Sequence, residues 1–327
     1  MLLRRHILLT GVALACPAIR RTARAATRTL RIGYIQPQQS QLGAGATAFA
    51  DDLAKRTGGR IAIQQFPDAA LGGDVELAKG VQLGSVDLAI ITGLGLSSVV
   101  PEAGVFNIPF LFRDLPHAYA VFDGPIGTSY RQRFAAKDMV MLAWGENGLR
   151  HITNAKHPVT DPDSLKGLKL RLPQSDVMLV GFRALGANVA PLPFPQLYDA
   201  LRMGTFDGQE NPIATIMAAK FFQVQKHLTL SGHVYDPALL VMSPDLFDDL
   251  SVEDKANFIA AARLGATASR KAASEAEETG VAALRSDGMA VVADIDRAAF
   301  IASMASAVPE FETRFGHDAI ERIRRLA

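Results

Sequence analysis

An arginine near the end of a short alternating segment is the first residue of this chain that could bind a ligand. In the segment GLKLRLPQS, residues 167–175, leucines at alternate positions predict a half-buried strand that ends before Pro173. Arg171 lies on the polar face of that strand. A guanidinium can hold a carboxylate with two parallel hydrogen bonds. An arginine on a polar strand face is usually solvated, however, so the segment alone favours a surface charge.

Side chains that could catalyse a reaction or hold a metal ion are sparse. Asp207 and Glu210, in the segment DGQEN, could form a general acid and base pair, although acids in such segments more often belong to turns. The seven histidines never recur at the i, i+4 spacing of a helical metal site. The segment GLGLSS, residues 93–98, ends in serine where a dinucleotide-binding loop has glycine. We therefore expect no catalytic residue, no metal ion and no cofactor, and the chain is more typical of a binding protein.

The first 25 residues have the pattern of an export signal. Two arginines at positions 4 and 5 precede an apolar run over residues 7–19, which is too short to cross a bilayer, and Ala-Arg-Ala at 23–25 is typical of a cleavage site. The paired arginines fit a twin-arginine signal slightly better than a Sec signal. Cleavage after residue 25 would remove Cys16, the one cysteine. It would also remove five of the 34 basic residues and none of the 33 acidic residues, which leaves a net charge of −4. A periplasmic protein of this charge is a poor candidate for binding nucleic acid or an anionic membrane.

Strand and helix patterns alternate along the rest of the chain. In the first series the expected strands cover residues 30–35, 61–66 and 86–91, with helices at 44–55 and 74–82. In the second series the expected strands lie around residues 139–144, 168–172, 188–192 and 204–207, with a helix at 196–203. Such βαβ series predict parallel sheets covered by helices, and the length suits two domains, so we expect an α/β fold with two lobes. No internal repeat is evident.

One segment predicts an unusually long helix. Ser251 begins a sequence that resembles a capping box, and from there to Arg285 the chain has many alanines and no proline. The segment could form one helix or two abutting helices. Because such a helix would be longer than a domain diameter, we expect it to run across both domains.

Five segments together resemble the solute receptors of tripartite ATP-independent periplasmic (TRAP) transporters of the DctP type. They are FNIPFLFRDLPHAYAVFDGPIG at 106–127, ENGLRHITNAKHPV at 146–159, GLKLRLPQS, PLPFPQLYDALRMGTFDGQENP at 191–212 and KFFQVQKHLTLSGHVY at 220–235. The resemblance runs from about Leu30 to the C-terminus, and DGQENP after an arginine-bearing strand is its most specific part.

The resemblance implies a periplasmic binding protein whose two α/β lobes, with parallel or mixed sheets, close on a ligand like a clamshell. Strand crossings and a long helix would bridge the lobes, in agreement with the long helix expected here. We expect lobe I to comprise residues 28–147 and 237–276, and lobe II to comprise residues 148–236 and 277–327.

The resemblance also implies roles for individual residues. Arg171 matches the cleft arginine that binds the ligand carboxylate in this family. Arg150 matches a second cleft arginine, with a salt bridge at the domain hinge as the alternative role. Asn211 matches a position that hydrogen-bonds the ligand, and Phe194 matches an aromatic residue that packs on it. The remaining expected ligand-binding residues are Thr92, Gln36 (with Gln39 or Ser40 as alternatives), Tyr235 and, more weakly, Trp144.

The function implied by the resemblance is that of a receptor, expected to be a monomer, which captures a small organic-acid anion and delivers it to the membrane subunits of a TRAP permease. Two cleft arginines would suit a C4-dicarboxylate. A sugar acid would instead use Arg171 for its single carboxylate and Asn211, Thr92 and Gln36 for its hydroxyls. Two other functions stay open: an exported enzyme with one of the acids of DGQEN as base, and a sensor that signals to a membrane kinase.

Overall fold

The computed structural model describes residues 27–326, so the expected export signal and Cys16 lie outside the described residues. Within that range nine strands form one sheet. The strands are β1 (Arg28–Gly33), β2 (Ile61–Phe66), β3 (Leu88–Thr92), β4 (Val140–Asn154), β5 (Lys169–Leu172), β6 (Asn188–Pro191), β7 (Gly208–Pro212), β8 (His227–Met242) and β9 (Ala290–Val292).

The α-helices of the described residues cover the sheet. They are α1 (Gln41–Arg56), α2 (Asp74–Gln82), α3 (Gly93–Leu96), α4 (Leu115–Asp123), α5 (Pro125–Ala135), α6 (Asp176–Ala184), α7 (Leu197–Arg202), α8 (Ile213–Ala218), α9 (Pro244–Asp248), α10 (Val252–Ser286), α11 (Arg297–Ser303), α12 (Val308–Phe315) and α13 (His317–Arg324). Short 3₁₀ segments lie at Pro101–Asn107, Pro162–Leu165, Phe194–Gln196, Phe221–Gln223 and Met304–Ala307. No helix within residues 27–326 combines the length and the apolar composition that crossing a bilayer requires.

The sheet consists of two groups of parallel strands joined by two long antiparallel strands. Its order is β2-β1-β3-β8-β4-β7-β5-β6, and β9 pairs with β8. Strands β1, β2 and β3 are parallel to one another, as are β5, β6 and β7. Strands β4 and β8 pair with each other in antiparallel orientation along their length. One half of this couple adjoins the first group, where β8 pairs with β3, and the other half adjoins the second group, where β4 pairs with β7. Because β3 and β7 pair with opposite strands of this couple, the carboxyl ends of the two parallel groups face each other.

The pairing of β4 with β8 is irregular where the strands pass from one group to the other. The register shifts between Glu146 and Gly148, and again between Arg150 and Ile152. Gly148 has a φ of +133°, a conformation that residues with a side chain rarely adopt. The crossing point is therefore a defined kink in the sheet, and its side chains lie between the two groups.

The two groups repeat the same unit, which the sequence analysis did not find. Strands in the order β2-β1-β3 form the first unit, and strands in the order β6-β5-β7 form the second. Gly33 pairs with Ala89 in the first unit, as Arg171 pairs with Gln209 in the second. Only a few residue types are shared at equivalent positions, so the repeat is visible in register and strand order and not in sequence.

Asp207 belongs to this repeated scaffold. Its Oδ2 accepts a hydrogen bond of 3.0 Å from the backbone N–H of Lys169. Asp87 occupies the equivalent position in the first unit, where its Oδ2 accepts a hydrogen bond of 2.7 Å from the backbone N–H of Arg31. The aspartate before the third strand thus ties that strand to the first strand in both units.

Helix α10 is a single helix of 35 residues, so of the two expected alternatives, one long helix or two abutting helices, the first is confirmed. The Ser251 hydroxyl caps it by accepting a hydrogen bond of 3.0 Å from the backbone N–H of Asp254. The helix packs against α1 and β4 and, near its C-terminal end, against α8, so it contacts both units. At the crossing with α1, a Cβ added to Gly265 would lie 2.7 Å from the carbonyl oxygen of Gly45.

Several predicted strands differ from those observed. The strand predicted at 204–207 is wrong, because residues 203–207 form a turn through Gly204, with a φ of +72°, and β7 begins at Gly208. Strand β4 was expected to end at 144 but continues to Asn154. Strand β8 was not predicted. The strand at 61–66 and the helix at 74–82 are confirmed.

Candidate functional site

A cleft lies between the facing carboxyl ends of the two strand groups. It encloses about 450 Å³, including its open mouth. Its lining consists of Ile35, Gln36, Gly73, Asp74, Thr92, Gly95, Asn147, Arg150, Arg171, Pro173, Gln174, Pro193, Phe194 and Asn211. Most of these residues lie at the carboxyl end of a parallel strand or directly after it, where open α/β sheets bind ligands.

Arg171 is a buried cation of the cleft without a carboxylate partner among residues 27–326. Its side chain is 2% exposed, and its Nε donates a hydrogen bond of 2.8 Å to the carbonyl oxygen of Leu192. It forms no salt bridge within residues 27–326. Burial lowers the pKa of Arg171 to about 9, and the charge of Glu210 opposes this effect only in part. An anion beside the guanidinium would offset its desolvation.

Arg150 also lines the cleft, but acceptors of the protein occupy most of its donors. Its Nε and Nη2 donate to the two carboxylate oxygens of Glu210, at 2.5 and 2.8 Å. Nη1 donates to Asp236 at 2.9 Å, and Nη2 also donates to the amide oxygen of Asn211 at 3.2 Å. Burial alone would lower the pKa of Arg150, but Glu210 and Asp236 raise it. This geometry matches the alternative role of Arg150, a structural salt bridge.

Glu210 is fully buried and both of its carboxylate oxygens are engaged. Besides the two hydrogen bonds from Arg150, its Oε2 lies 3.0 Å from Nε2 of His233. Burial would raise the pKa of Glu210, but Arg150 and His233 hold it at about 2. A carboxylate with so low a pKa is a weak general base, so the geometry of Glu210 suits a structural role better than catalysis.

Thr92 and Asp74 form a hydrogen-bonded pair on the first-unit side of the cleft. The Thr92 hydroxyl donates to Oδ2 of Asp74 at 2.6 Å, and its backbone N–H donates to Oδ1 at 3.2 Å. Burial raises the pKa of Asp74 to about 7 despite these hydrogen bonds. Asp74 is a lining residue that was not predicted from the sequence. Its position directly after two glycines at the start of a predicted helix was the available signal.

Gln36 lines the cleft and joins a buried amide network. Its Nε2 donates to Oδ1 of Asn147 at 2.8 Å and to the hydroxyl of Thr215 at 2.9 Å. Asn147, on β4, is a second lining residue that the sequence analysis missed. Gln39 and Ser40, the alternatives to Gln36, are not part of the lining, and Ser40 caps α1 instead.

Asn211 and Phe194 are both in the lining, as the resemblance implies. The amide oxygen of Asn211 accepts from Arg150, and its Nδ2 donates to the side chain of Gln209. Phe194 is half-buried, and its ring centroid lies 6.0 Å from that of Phe221, so one part of the ring packs on the core while another faces the cleft.

Tyr235 and Trp144 lie outside the lining, which corrects their expected position. Tyr235 packs in an aromatic cluster, with its ring centroid 5.6 Å from that of Phe122, and Trp144 lies 4.8 Å from the same ring. Successive side chains of a strand point to opposite faces of the sheet. Because Asp236 faces the Arg150 network, its neighbour Tyr235 is directed away from it.

No group of three or more histidine, cysteine, aspartate or glutamate side chains is arranged to hold a metal ion in the described part of the chain, residues 27–326.

The chain matches the family model of the bacterial extracellular solute-binding proteins, family 7 (DctP), over residues 32–314. A solute-binding protein of Verminephrobacter eiseniae is 46% identical over 300 residues, which are 92% of this chain and 90% of the relative. A crystal structure of a TRAP periplasmic solute-binding protein from Polaromonas sp. JS666, bound to D-erythronate, is 43% identical with a TM-score of 0.90 and covers 91% of this chain and 99% of that one. A TRAP periplasmic solute-binding protein from Sulfurospirillum deleyianum with bound succinate is 30% identical with a TM-score of 0.88, over 92% of this chain and 100% of that one.

Proposed function

Since the chain belongs to the DctP family, the two-lobed solute receptors of TRAP transporters, we propose that it binds an organic acid through a single carboxylate held by Arg171. The observation that carries this proposal is the state of Arg171: it is buried in the cleft, and within the described part of the chain its one acceptor is the carbonyl of Leu192. A carboxylate would accept two parallel hydrogen bonds from the free side of the guanidinium and neutralise its charge.

The pairing of Arg150 favours a monocarboxylate over a C4-dicarboxylate. A second carboxylate would need a second cation, and the donors of Arg150 are directed at Glu210 and Asp236. Asp74 also lines the cleft and, in its ionised form above its pKa of about 7, would repel a second carboxylate. The relative with bound erythronate, a hydroxylated monocarboxylate, is 43% identical to this chain, against 30% for the relative with bound succinate. We therefore assign the ligand to the small hydroxylated monocarboxylates, such as the aldonic acids.

We propose that the two strand groups are the cores of the closing lobes, residues 28–147 with 237–276 and residues 148–236 with 277–327. The kink of β4 and β8 near Gly148 supports this division. The C-terminal helices contact both lobes, because Arg297 of α11 donates hydrogen bonds of 3.3 Å to the carbonyl oxygens of Gly232 and of Phe112. A ligand that touches both lobes stabilises the closed form, since only that form completes its contacts.

Family membership implies an exported receptor that delivers its ligand to the membrane subunits of a TRAP permease. We propose that residues 1–25 are the export signal and that the receptor acts as a monomer in the periplasm. The family's role as extracellular solute-binding proteins supports the export signal and the periplasmic location.

Isothermal titration calorimetry with D-erythronate and with succinate tests the proposed ligand class. We expect erythronate to bind more tightly than succinate, and Arg171→Ala to weaken erythronate binding at least about thirtyfold, as truncation of one partner of a buried charge pair does. Arg202→Ala removes an exposed arginine of the same lobe and should leave binding unchanged. Tighter binding of succinate, or erythronate binding that survives Arg171→Ala, would contradict the proposal.

A further inference from the structure

We propose that a groove between α5 and α10, separate from the cleft, binds a divalent oxyanion such as sulfate or hydrogen phosphate. The groove encloses about 850 Å³, including its open mouth, and residues 141–144 of β4 form one of its walls. Three of its lining residues are arginines, Arg131 of α5 and Arg263 and Arg270 of α10. The inference does not depend on the ligand of the cleft, because the two linings have no residue in common.

Arg131 is held in place by the edge of the sheet. Among the described residues, residues 140–145 of β4 have a partner strand only on the β8 side, because β7 pairs with β4 from Arg150 onwards. Nη1 of Arg131 donates a hydrogen bond of 2.6 Å to the carbonyl oxygen of Met141, and Nη2 donates one of 3.4 Å to that of Leu142. These neutral acceptors fix the guanidinium at the groove but do not compensate its charge.

The acid in the groove lining is already paired with the third arginine. Both carboxylate oxygens of Asp123 accept hydrogen bonds from Arg270, at 2.7 Å from Nη1 and at 2.8 Å from Nη2. The Arg270 guanidinium also lies 4.6 Å from the ring centroid of Tyr119, so an aromatic face supports it in this position. Asp123 therefore neutralises Arg270 and not the other two arginines of the groove.

Arg131 and Arg263 are consequently two cations without a counter-charge. Neither side chain forms a salt bridge within residues 27–326. Burial lowers the pKa of the half-buried Arg131, the charge of Arg263 lowers it further, and no carboxylate of the described residues raises it. Two like charges that oppose each other in this way are both stabilised by an anion placed between them. A divalent anion matches the two uncompensated charges.

The donors of the groove suit an anion with several oxygens. Guanidinium groups offer parallel N–H donors that match pairs of oxygens on sulfate and phosphate. Thr128, exposed on α5, adds a hydroxyl that can donate to the same anion. Arg263 and Arg270 lie about two turns apart on α10 and so share one face of that helix. The positive charge is local, since the chain without residues 1–25 has a net charge of −4.

Isothermal titration calorimetry with sodium sulfate, and with sodium chloride at equal ionic strength, tests this inference. We expect saturable binding of sulfate to the unmodified protein and none of chloride. Arg263→Gln removes the exposed cation of the pair and leaves the contacts of Arg131 with β4 intact. It should weaken sulfate binding at least about tenfold, the effect of losing a hydrogen bond between charged groups. Arg202→Gln, which removes an exposed arginine outside the groove, is the matched control and should leave sulfate binding unchanged.

Two variants separate this site from the cleft. Sulfate should bind to Arg171→Ala as it does to the unmodified protein, and Arg263→Gln should leave the affinity for D-erythronate unchanged. Sulfate binding that is lost in Arg171→Ala but kept in Arg263→Gln would place the anion in the cleft and overturn the inference. The absence of saturable sulfate binding would also overturn it, as would equal affinities in Arg263→Gln and Arg202→Gln, and Arg131 would then only cover the edge of β4. Failure of the proposed ligand class in the cleft would leave these results unaffected.

Discussion

The guanidinium of Arg150 and the carboxylate of Glu210 meet through two hydrogen bonds of 2.5 and 2.8 Å, in a position where neither side chain is accessible to solvent. The pair lies at the crossing point of the sheet, and Asp236 adds a second carboxylate to the same guanidinium. Three buried charges therefore depend on one another at the junction of the two strand groups.

Removing the cation of this group should be strongly destabilising. Arg150→Met leaves Glu210 and Asp236 buried without their partner, and we expect the free energy of unfolding to fall by about 3–5 kcal/mol. Urea unfolding followed by circular dichroism measures this change. Arg202→Met, which breaks the exposed pair of Arg202 with Asp199, should cost far less. Equal losses in the two variants would mean that the buried group contributes no more than a surface pair.

The stability of the protein should contain a pH-dependent contribution from Glu146. Burial raises the pKa of this side chain from 4.5 to about 7, although Tyr119 donates a hydrogen bond of 2.5 Å to its Oε2. Between these pH values the folded protein holds a proton that the unfolded chain has released, so stability falls as the pH rises, by at most about 1.4 kcal/mol per unit. Glu146→Gln should remove this slope in unfolding curves recorded from pH 4.5 to 7. An unchanged slope would assign the dependence to other groups.

Ligand affinity should depend on the ionisation of Asp74. Because burial raises the pKa of Asp74 to about 7, its carboxyl group is neutral below that pH and becomes negative above it. A negative charge in the cleft repels an anionic ligand, so the Kd for erythronate should rise as the pH increases through about 7. In Asp74→Asn the Kd should stay flat over the same range. A Kd that still rises with pH in this variant would exclude Asp74 as the cause.

The crossing of α1 and α10 should reject a single methyl group. A Cβ on Gly265 would lie 2.7 Å from a backbone carbonyl of α1, which cannot move aside as a flexible side chain can. Gly265→Ala should therefore lower the free energy of unfolding by about 1–3 kcal/mol, although alanine is the better helix former. Leu264→Ala changes the exposed neighbouring residue and should have little effect. A stabilised Gly265→Ala variant would show that the two helices can separate without cost.

The regular elements of the fold could be predicted from the sequence because their patterns are local. Helix α10 is marked by the cap at Ser251 and by its alanine-rich composition, and α2 and β2 have clear boundaries. Strands β4 and β8 could not be predicted in full, because each passes from one strand group to the other and its surroundings change along its length. Strand β7 reads GQENP, whose polar residues are typical of a turn, and they are buried here because Asn211 lines the cleft while Gln209 and Glu210 hydrogen-bond Asn211 and Arg150.

The candidate site could be predicted only in part, for reasons of distance along the chain. Arg171 on its own strand is typical of a surface residue, and the family resemblance was needed to place it in a cleft. The partners of Arg150 lie 60 and 86 residues away, so the sequence could not reveal that its charge is already paired. Asp74 was missed for a different reason: an acid in the first turn of a helix is common without any ligand.

The repeated unit has a consequence for the orientation in which a ligand can bind. Arg171 of the second unit occupies the position that Gly33 occupies in the first, and a Cβ on Gly33 would lie 2.6 Å from Leu77. The first unit therefore has a glycine, and not a cation, at the matching place, and the two ends of the cleft are not interchangeable. An acid held as proposed would have to sit with its charged head on the second unit and its hydroxylated tail on the first. With the carboxylate fixed at one end, the enantiomer of a ligand could not place its hydroxyl groups at the same positions. The receptor would therefore distinguish the two enantiomers of such an acid.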